Sequence, residues 1–290
     1  MHPLARRPLL SPVWPATDNW RPHRHAVRMI ENVPYGEGEP LACRQIDVVL
    51  PTRTASQEPS PWVLFAHGGA WKRHDRRMLR WFTGLYTNVG AAFARAGIGA
   101  AIAGYRTGPG ATAASGLDDL LAAFRCVRAN ADAWGLDPDR AVVMGHSAGA
   151  HLATVMGQRG DDGVRPRGVI AMAGYYDVER VAPAFTGASR EKFDALFGGT
   201  HGEAARTWSP ERSLDAPTMP PMLVGIAQHE IASLRPEYEG LIAACRAAGV
   251  AVESLDVAGC GHMGLVLQMG AARDAVTGPL VAFVRRVCTT

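Results

Sequence analysis

From residue 45 onward, short apolar segments alternate with longer amphipathic ones over the rest of this 290-residue chain. The apolar segments are rich in Val, Ile, Leu and Ala, which is typical of strands buried within a parallel sheet. Seven can be identified, at residues 46–50, 62–66, 98–105, 141–144, 169–173, 222–227 and 250–257. Strands that alternate with helices predict an α/β domain whose central, mostly parallel sheet is flanked by helices.

Three of the intervening segments have the apolar spacing of amphipathic helices. The first covers residues 117–134, where Ser115 is the predicted N-cap and Gly135 the predicted stop. The second covers residues 237–248, and residues 277–287 form a C-terminal helix that we expect to dock on the sheet. These helices supply the outer layers of the predicted domain.

The composition shows no break that would divide the chain into two domains. We expect an N-terminal arm at residues 1–44, made irregular near its start by four prolines, and one domain at residues 45–290. Residues 174–221, between two predicted strands, are too many for an ordinary crossover. They predict a small cap-like insertion at about residues 176–218 that forms one wall of a pocket.

Composition also excludes several classes of function. Hydrophobic residues make up 47% of the chain and charged residues 20%, as in folded globular proteins. The formal charge of +3 is small and evenly spread, which argues against a nucleic-acid surface, and no apolar run is long enough to span a membrane. Five cysteines without close pairing argue against a disulfide framework or a zinc site and favour the cytoplasm.

The strongest local motif is Gly145-His146-Ser147-Ala148-Gly149, a G-x-S-x-G sequence. On its own it is weak, because a chain with 32 glycines contains such a match by chance fairly often. However, it follows the apolar strand AVVM and precedes the helix-forming AGAHLATVM. In that strand–turn–helix setting a serine is held on a tight elbow above the sheet. The motif therefore predicts Ser147 as a nucleophile, whereas the alternative is a turn of small residues with an incidental serine.

A second motif, HGGAW at residues 67–71, follows the predicted strand at 62–66. Such a turn can aim the backbone N–H groups of Gly68 or Gly69 at the space above Ser147. With the N–H of Ala148 at the start of a helix, they would form an oxyanion hole. Taken alone, the motif fits equally well a glycine turn that reverses the chain.

These two motifs, with GYR at residues 104–106 and the segment DLLAAFRCVRANADAWGLDPDRAVVMGHSAGAHLA, resemble the α/β-hydrolase superfamily. More narrowly, they are similar to its carboxylesterase and arylformamidase (kynurenine formamidase-like) branch. The resemblance covers roughly residues 48–287. It implies the α/β-hydrolase fold and a catalytic triad in the chain order serine, acid, histidine.

In that order the base lies late in the chain, and His262 of the CGHMG segment follows the last predicted strand. Of the ten histidines, His67 and His146 flank turns and are interpreted as scaffold or pocket residues, and His151, on the elbow helix, as packed or solvated. His262 is the one in the right place to accept the proton of Ser147.

The acid is where the sequence departs from the family pattern. Relatives place an aspartate after the preceding strand, whereas this chain has none between Asp215 and Asp256. Glu230 occupies the best-matching position, and a glutamate can orient His262 as an aspartate does. Glu237, farther into a helix, and Asp256, within the last strand, are poorer candidates.

Together these residues predict a serine hydrolase that cleaves a small carboxylic ester or an aryl formamide through an acyl-enzyme on Ser147. The mechanism needs no metal or other cofactor. Four aromatic side chains are candidates for the substrate pocket, although each also suits packing in the core: Trp71, Tyr105, Tyr175 and Tyr176.

Two other functions stay open at this point. The same triad suits an acyltransferase or cyclase acting on a biosynthetic intermediate. The missing aspartate also leaves open a hydrolase-fold sensor that binds its ligand without turnover. In every case the expected partner is a small molecule rather than a nucleic acid or a membrane, and a homodimer is left open.

Overall fold

The computed structural model describes residues 27–36, 42–52, 58–71, 75–77, 84–160 and 164–289. In these ranges one sheet is built from eight strands: β1 (Val27–Pro34), β2 (Gln45–Pro51), β3 (Ser60–Ala66), β4 (Gly99–Ala103), β5 (Leu136–His146), β6 (Gly168–Met172), β7 (Met222–His229) and β8 (Val252–Gly261). The spatial order is β1-β2-β4-β3-β5-β6-β7-β8. The pairs β1–β2 and β2–β4 are antiparallel and the others are parallel, which confirms the predicted mostly parallel sheet.

The sheet begins earlier in the chain than predicted. Strand β1 lies inside the segment expected to be an irregular arm and pairs with β2, with Arg28 opposite Leu50. Apolar side chains at Val27, Met29 and Val33 alternate with polar or exposed positions, as in an edge strand covered on one side. Residues 27–34 of the predicted N-terminal arm therefore form an edge strand of the sheet, and residues 1–26, with the proline-rich start, lie outside the described residues.

Helices cover both faces of the sheet. Their bounds are α1 (Thr87–Arg95), α2 (Ala113–Ala129), α3 (Ala131–Trp134), α4 (Ala148–Arg159), α5 (Val178–Val181), α6 (Ala188–Phe197), α7 (Gly202–Thr207), α8 (Leu234–Ala247), α9 (Gly264–Leu267) and α10 (Thr277–Thr289). Two 3₁₀ turns, Ala182–Ala184 and Pro210–Arg212, lie among the short helices of the insertion.

The start of α2 corrects one prediction. Thr112, not Ser115, is the N-cap, because the Thr112 hydroxyl accepts a hydrogen bond from the Ser115 N–H. The Ser115 hydroxyl in turn accepts from the Thr112 N–H, so the pair forms a capping box. The predicted continuous helix is broken at Asn130, and Gly135 ends α3 in the left-handed conformation at φ 69°.

The core lies on both faces of the sheet, as strand β3 illustrates. Trp62 and Leu64 point into one apolar cluster, where Trp62 lies 5.0 Å from the ring of Phe124 in α2. Val63 and Phe65 point into a second cluster, built with α1 and the C-terminal helix α10. A strand buried on both faces explains the continuous apolar run seen in the sequence.

The insertion between β6 and β7 contains α5, α6 and α7. Its buried aromatic side chains, which include Phe193 and Phe197 of α6, pack around Trp71 of the HGGAW loop. The insertion therefore lies against the loop that follows β3, on the side of the sheet where the strand β5 ends at the serine elbow.

Candidate active site

Ser147 lies on a tight turn between β5 and α4, at φ 56° and ψ −122°. A positive φ is unfavourable for a serine, so the surroundings must hold it there. Its N–H donates to the carbonyl of Met172 at 2.9 Å. A Cβ atom at Gly145 would lie 2.1 Å from the oxygen of Gly149, and one at Gly149 would lie 2.1 Å from the oxygen of Ala66. Both glycines of the motif are therefore required by close backbone approach.

Glu230 and His262 are brought together by the ends of β7 and β8. The Nδ1 atom of His262 lies 2.8 Å from Oε1 of Glu230, which also accepts the N–H of Ile231 at 2.8 Å. Only 2% of the Glu230 side chain and 18% of the His262 side chain are exposed. Because an ionised carboxylate only accepts hydrogen bonds, Nδ1 carries the proton and Nε2 of a neutral imidazole is free to accept one.

The alternative acids have other partners. The buried Glu237 carboxylate accepts two backbone N–H groups at the start of α5 and the Nε–H of Arg180. Burial raises the pKa of Glu237 despite these donors. Asp256 is half exposed and binds Arg235 at 2.7 Å. Their contacts face α5 and the surface, which leaves Glu230 as the carboxylate beside the base.

The serine and the base are neighbours through His146. The Nε2 atom of His146 lies 3.0 Å from the carbonyl oxygen of His262, and the two imidazole rings are 4.5 Å apart. Among the described residues, however, no hydrogen bond joins the Ser147 hydroxyl to the His262 ring. Such contacts are often long in free enzymes and shorten when substrate binds.

The HGGAW loop approaches the elbow closely. A Cβ atom at Gly68 would lie 3.2 Å from Cβ of Ser147, so only a glycine fits there without displacing the serine. The next three residues all have positive φ: Gly69 at 126°, Ala70 at 49° and Trp71 at 56°. The predicted loop is therefore next to the serine, and its backbone is held in an unusual conformation.

The backbone N–H groups predicted to form the oxyanion hole differ in whether they already have a hydrogen-bond partner within the protein. Tyr86 is buried, which raises the pKa of its hydroxyl to about 12, and a hydrogen bond from the Gly68 backbone to that hydroxyl opposes the rise. Gly68 thus has an internal partner that sequence analysis did not anticipate. Ala148 is the first residue of α4, where N–H groups lack acceptors within the helix and favour negative charge.

Tyr105 supports the loop from below rather than facing a pocket. Its side chain is 1% exposed, its hydroxyl donates to the carbonyl of His67 at 2.6 Å, and its ring stacks on the His67 ring at 4.4 Å. The His67 Nδ1–H donates to the carbonyl of Gly68 at 2.7 Å. This differs from the predicted pocket contact and gives Tyr105 a structural role beneath the HGGAW loop.

Residues 75–77, which follow the HGGAW loop in the sequence, are tied to strand β2 by ion pairs that sequence analysis missed. Asp47 is 2% exposed and binds Arg77 at 2.8 Å and Arg76 at 3.3 Å. Burial alone would raise the pKa of Asp47, but the hydrogen bonds from Arg77 and the charge of Arg76 lower it below its usual value. One signal in the sequence could have revealed these pairs: Asp47 is the single charged residue of an apolar strand, and a buried carboxylate needs a cationic partner.

Two of the predicted pocket aromatics, Trp71 and Tyr175, lie next to each other, and a third, Tyr176, lies in the core. Trp71 is 6% exposed and lies 6.1 Å from the ring of Tyr175, which is half-buried. Tyr176 is 1% exposed, and its hydroxyl accepts the N–H of Gly174 at 3.1 Å. Its position in the core differs from the predicted pocket contact.

In the described ranges, no group of three or more His, Cys, Asp or Glu side chains is arranged to hold a metal ion. The helices of that same part of the chain are all too short or too polar to cross a membrane.

Comparison with known proteins agrees with this geometry. The BD-FAE family pattern matches residues 46–225. The carboxylesterase NlhH of Mycobacterium tuberculosis is 30% identical over 246 residues, covering 78% of this chain and 73% of that protein. The kynurenine formamidase of Danio rerio is 23% identical over 259 residues, covering 85% and 78%.

Among solved structures, a truncated carbohydrate esterase from gut microbiota superposes with a TM-score of 0.74 at 19% identity, over 90% of this chain and 96% of that one. At that identity the likeness shows the fold alone. The elbow, the strand order and the family match agree, and the chain belongs to the BD-FAE family of α/β-hydrolases.

Proposed function

We propose that this protein is a serine esterase that cleaves small carboxylic esters through an acyl-enzyme on Ser147. One observation carries the proposal: Glu230 contacts Nδ1 of His262 at 2.8 Å, which orients the ring with Nε2 away from the carboxylate, on a loop hydrogen-bonded to the residue before Ser147. A nucleophile, a base and a buried carboxylate that orients the base are the parts that acyl transfer needs.

In the proposed reaction, the Oγ of Ser147 comes within hydrogen-bond reach of Nε2 of His262 when substrate binds. The base accepts the hydroxyl proton as Oγ attacks the ester carbonyl, and Glu230 stabilises the imidazolium that forms. His262 then protonates the leaving alcohol. Water attacks the acyl-enzyme by the same route, which releases the acid and restores the serine.

The developing oxyanion is assigned to the space between the HGGAW loop and the start of α4. The N–H of Ala148 is supported as one donor by its place at the helix N-terminus. That of Gly69 is supported by its place directly after Gly68, where an added Cβ would lie 3.2 Å from Cβ of Ser147. The Gly68 N–H has the Tyr86 hydroxyl as a partner, so we rank it below these two.

The substrate class follows from the relatives and from the aromatic wall. The relative at 30% identity is a carboxylesterase, which favours an ester. An aryl formamide is the second candidate, because the half-buried Tyr175 places an aromatic ring beside Trp71 of the HGGAW loop and a kynurenine formamidase is among the relatives. We propose the insertion at about residues 176–218 as the cap over this wall, since its Phe193 and Phe197 pack on Trp71.

The two other functions considered, a non-catalytic sensor and an acyltransferase, are not equally supported by the structure. A non-catalytic sensor was kept open by the missing aspartate, and the contact between Glu230 and His262 argues against it. An acyltransferase would use the same residues and differs only in what replaces water, so product analysis separates the two. A cytoplasmic location and a homodimer stay predictions.

The test is covalent labelling with a fluorophosphonate probe together with hydrolysis of p-nitrophenyl esters of graded chain length and of N-formylkynurenine. We expect labelling of the wild type and of a Ser254→Ala control, no labelling of Ser147→Ala, and faster hydrolysis of short acyl chains than of long ones. A folded wild-type protein that neither labels nor hydrolyses any of these substrates overturns the proposal.

A further inference from the structure

We infer that His146 is a positioning residue for the base: it fixes the main chain of His262 next to the serine elbow through a part-buried hydrogen bond. This inference rests on the proposed function, because it assigns a role within the same triad. It concerns a residue directly before the nucleophile, for which the sequence indicates only a scaffold or pocket position.

The hydrogen bond has a defined direction. The acceptor is the His262 carbonyl oxygen, which can only accept, so Nε2 of His146 carries the proton in this 3.0 Å contact. The other nitrogen, Nδ1, is then a lone-pair acceptor. It is buried and has no hydrogen-bond partner among the described residues, and a Cβ atom at Gly68 would lie 3.1 Å from it. The ring is therefore enclosed between the oxyanion loop and the base.

The charge state of His146 suits this role. Its side chain is 1% exposed, and burial, with the nearby His262 as the next cause, lowers its pKa to about 3. A neutral ring 4.5 Å from the base does not oppose the positive charge that His262 gains during the reaction. The same ring in its charged form would repel the imidazolium.

His146 and Glu230 hold different parts of the base. Glu230 binds Nδ1 and sets the orientation of the His262 ring. His146 binds the carbonyl and sets the position of its backbone. Farther along the same loop, the buried Asn88 donates to the carbonyls of Val266 and Met269 at 2.6 and 3.1 Å. Of these three contacts, only that of His146 ties the base directly to the segment carrying the serine.

Three variants test the inference. His146→Gln keeps an amide N–H at about the place of Nε2, whereas His146→Phe keeps the ring shape without a donor. The control is His151→Phe, since His151 is equally buried and its Nε2–H donates to a backbone carbonyl too, that of Trp208 at 2.8 Å. Should His146→Phe fail to fold, His146→Asn, whose amide is too short to reach the carbonyl, replaces it.

The readouts are kcat and KM on a short-chain p-nitrophenyl ester, measured well below each variant's Tm. We expect His146→Phe to lower kcat by ~100-fold with little change in KM, since a displacement of about 1 Å costs that much. His146→Gln restores most of kcat, and His151→Phe lowers Tm without a comparable loss of kcat.

Two results are distinguishable failures. If the folded wild type neither labels with fluorophosphonate nor turns over ester, the proposed function fails. If the wild type is active and His146→Phe, or His146→Asn in its place, keeps wild-type kcat, or if His146→Gln is as impaired as that variant, the inference about His146 is overturned while the esterase stands.

Discussion

The serine elbow and the loop that carries the base meet at one site but are held there in different ways. The elbow, the local half of the site, is fixed by the glycines of its own motif, because backbone atoms of Gly145 and Gly149 pack against helix α4 and the distant strand β3 with no room for a side chain. The base loop is fixed remotely, by side chains of Glu230, His146 and Asn88 from three other elements. The site therefore has two halves. The serine elbow is rigid and is specified by a short motif, whereas the position of the His262 loop depends on side chains from distant parts of the chain.

The largest effect is expected from a side chain added at the serine elbow, where the backbone leaves no room for one. Gly149→Ala places a Cβ 2.1 Å from the Ala66 oxygen, so the elbow cannot close without moving backbone. We expect little soluble protein, or a folded protein with activity reduced by more than ~10⁴-fold, since such overpacking costs about 3 kcal/mol or more and displaces the nucleophile.

The matched control is Gly278→Ala on α10, where an added Cβ meets nothing within 4 Å. It should fold normally and be neutral or slightly more stable. Thermal unfolding and ester hydrolysis measure both variants. Near-normal activity in Gly149→Ala would mean that the elbow is more adaptable than its contacts imply, and the contrast between the two halves would disappear.

The second effect tests the remote half. Glu230→Gln keeps the size of the side chain but removes the charge that stabilises the imidazolium. We expect kcat to fall by about 10³ to 10⁴-fold with little change in KM, as for the loss of a triad carboxylate. Asp256→Asn, at the other candidate acid, removes a carboxylate bound to Arg235 and should keep kcat within about threefold.

Steady-state kinetics on both variants decide the role of Glu230. If Glu230→Gln is as active as the wild type, Glu230 is not the acid of the triad. A large loss of kcat in Asp256→Asn would indicate that Asp256 has that role instead. A loss of kcat in Glu230→Gln but not in Asp256→Asn would support the contrast between the two halves of the site. The orientation of His262 would then depend on a residue 32 positions earlier in the chain.

How far sequence predicts this site follows the same division. The fold class, Ser147 and the HGGAW loop follow from strand–turn–helix patterns that lie together in the chain. The hydrogen bond of His146 to His262 and the ion pairs of Asp47 join residues far apart in sequence, and no local pattern specifies which distant atom a buried polar group meets. Strand β1 was missed for a related reason: an edge strand gains its register from the partner β2, not from its own sequence.

The third effect asks whether the oxyanion loop is held locally, like the elbow, or remotely, like the base. Asp47→Asn leaves Arg76 and Arg77 without their buried counter-charge, which costs about 3 kcal/mol in stability. If the loop depends on this anchor, kcat falls as well, because residues 75–77 follow the HGGAW segment. Thermal unfolding and kinetics on the same sample separate the two contributions.

A control for the anchor is Asp139→Asn, at an exposed carboxylate that binds Arg128. We expect a loss below about 1 kcal/mol and unchanged kcat there. A lower Tm for Asp47→Asn with full activity at low temperature would show that the loop keeps its shape without the anchor and belongs with the locally held half.

The smallest effect concerns the two buried histidines of the elbow segment. Burial lowers the pKa of His146 to about 3 and that of His151 to about 4, whereas an unfolded histidine titrates near 6.5. Between these values the unfolded chain binds more protons than the folded one, so stability is full above pH 6.5 and falls as the pH drops toward the folded pKa. At pH 5.5 the protonation of each histidine in the unfolded chain should lower the free energy of unfolding by about 1 kcal/mol.

The measurement is Tm against pH from 7.5 to 4.5 for wild type, His151→Phe and His146→Gln. Each variant starts from a lower Tm at neutral pH, since it loses a buried contact, but its Tm should decline less steeply below pH 6.5 because one proton-binding group of the unfolded chain is gone. Parallel curves for all three proteins would mean that neither histidine is kept neutral by burial. His146 would then be able to share the positive charge at the site, and the base would no longer be the group that carries it alone.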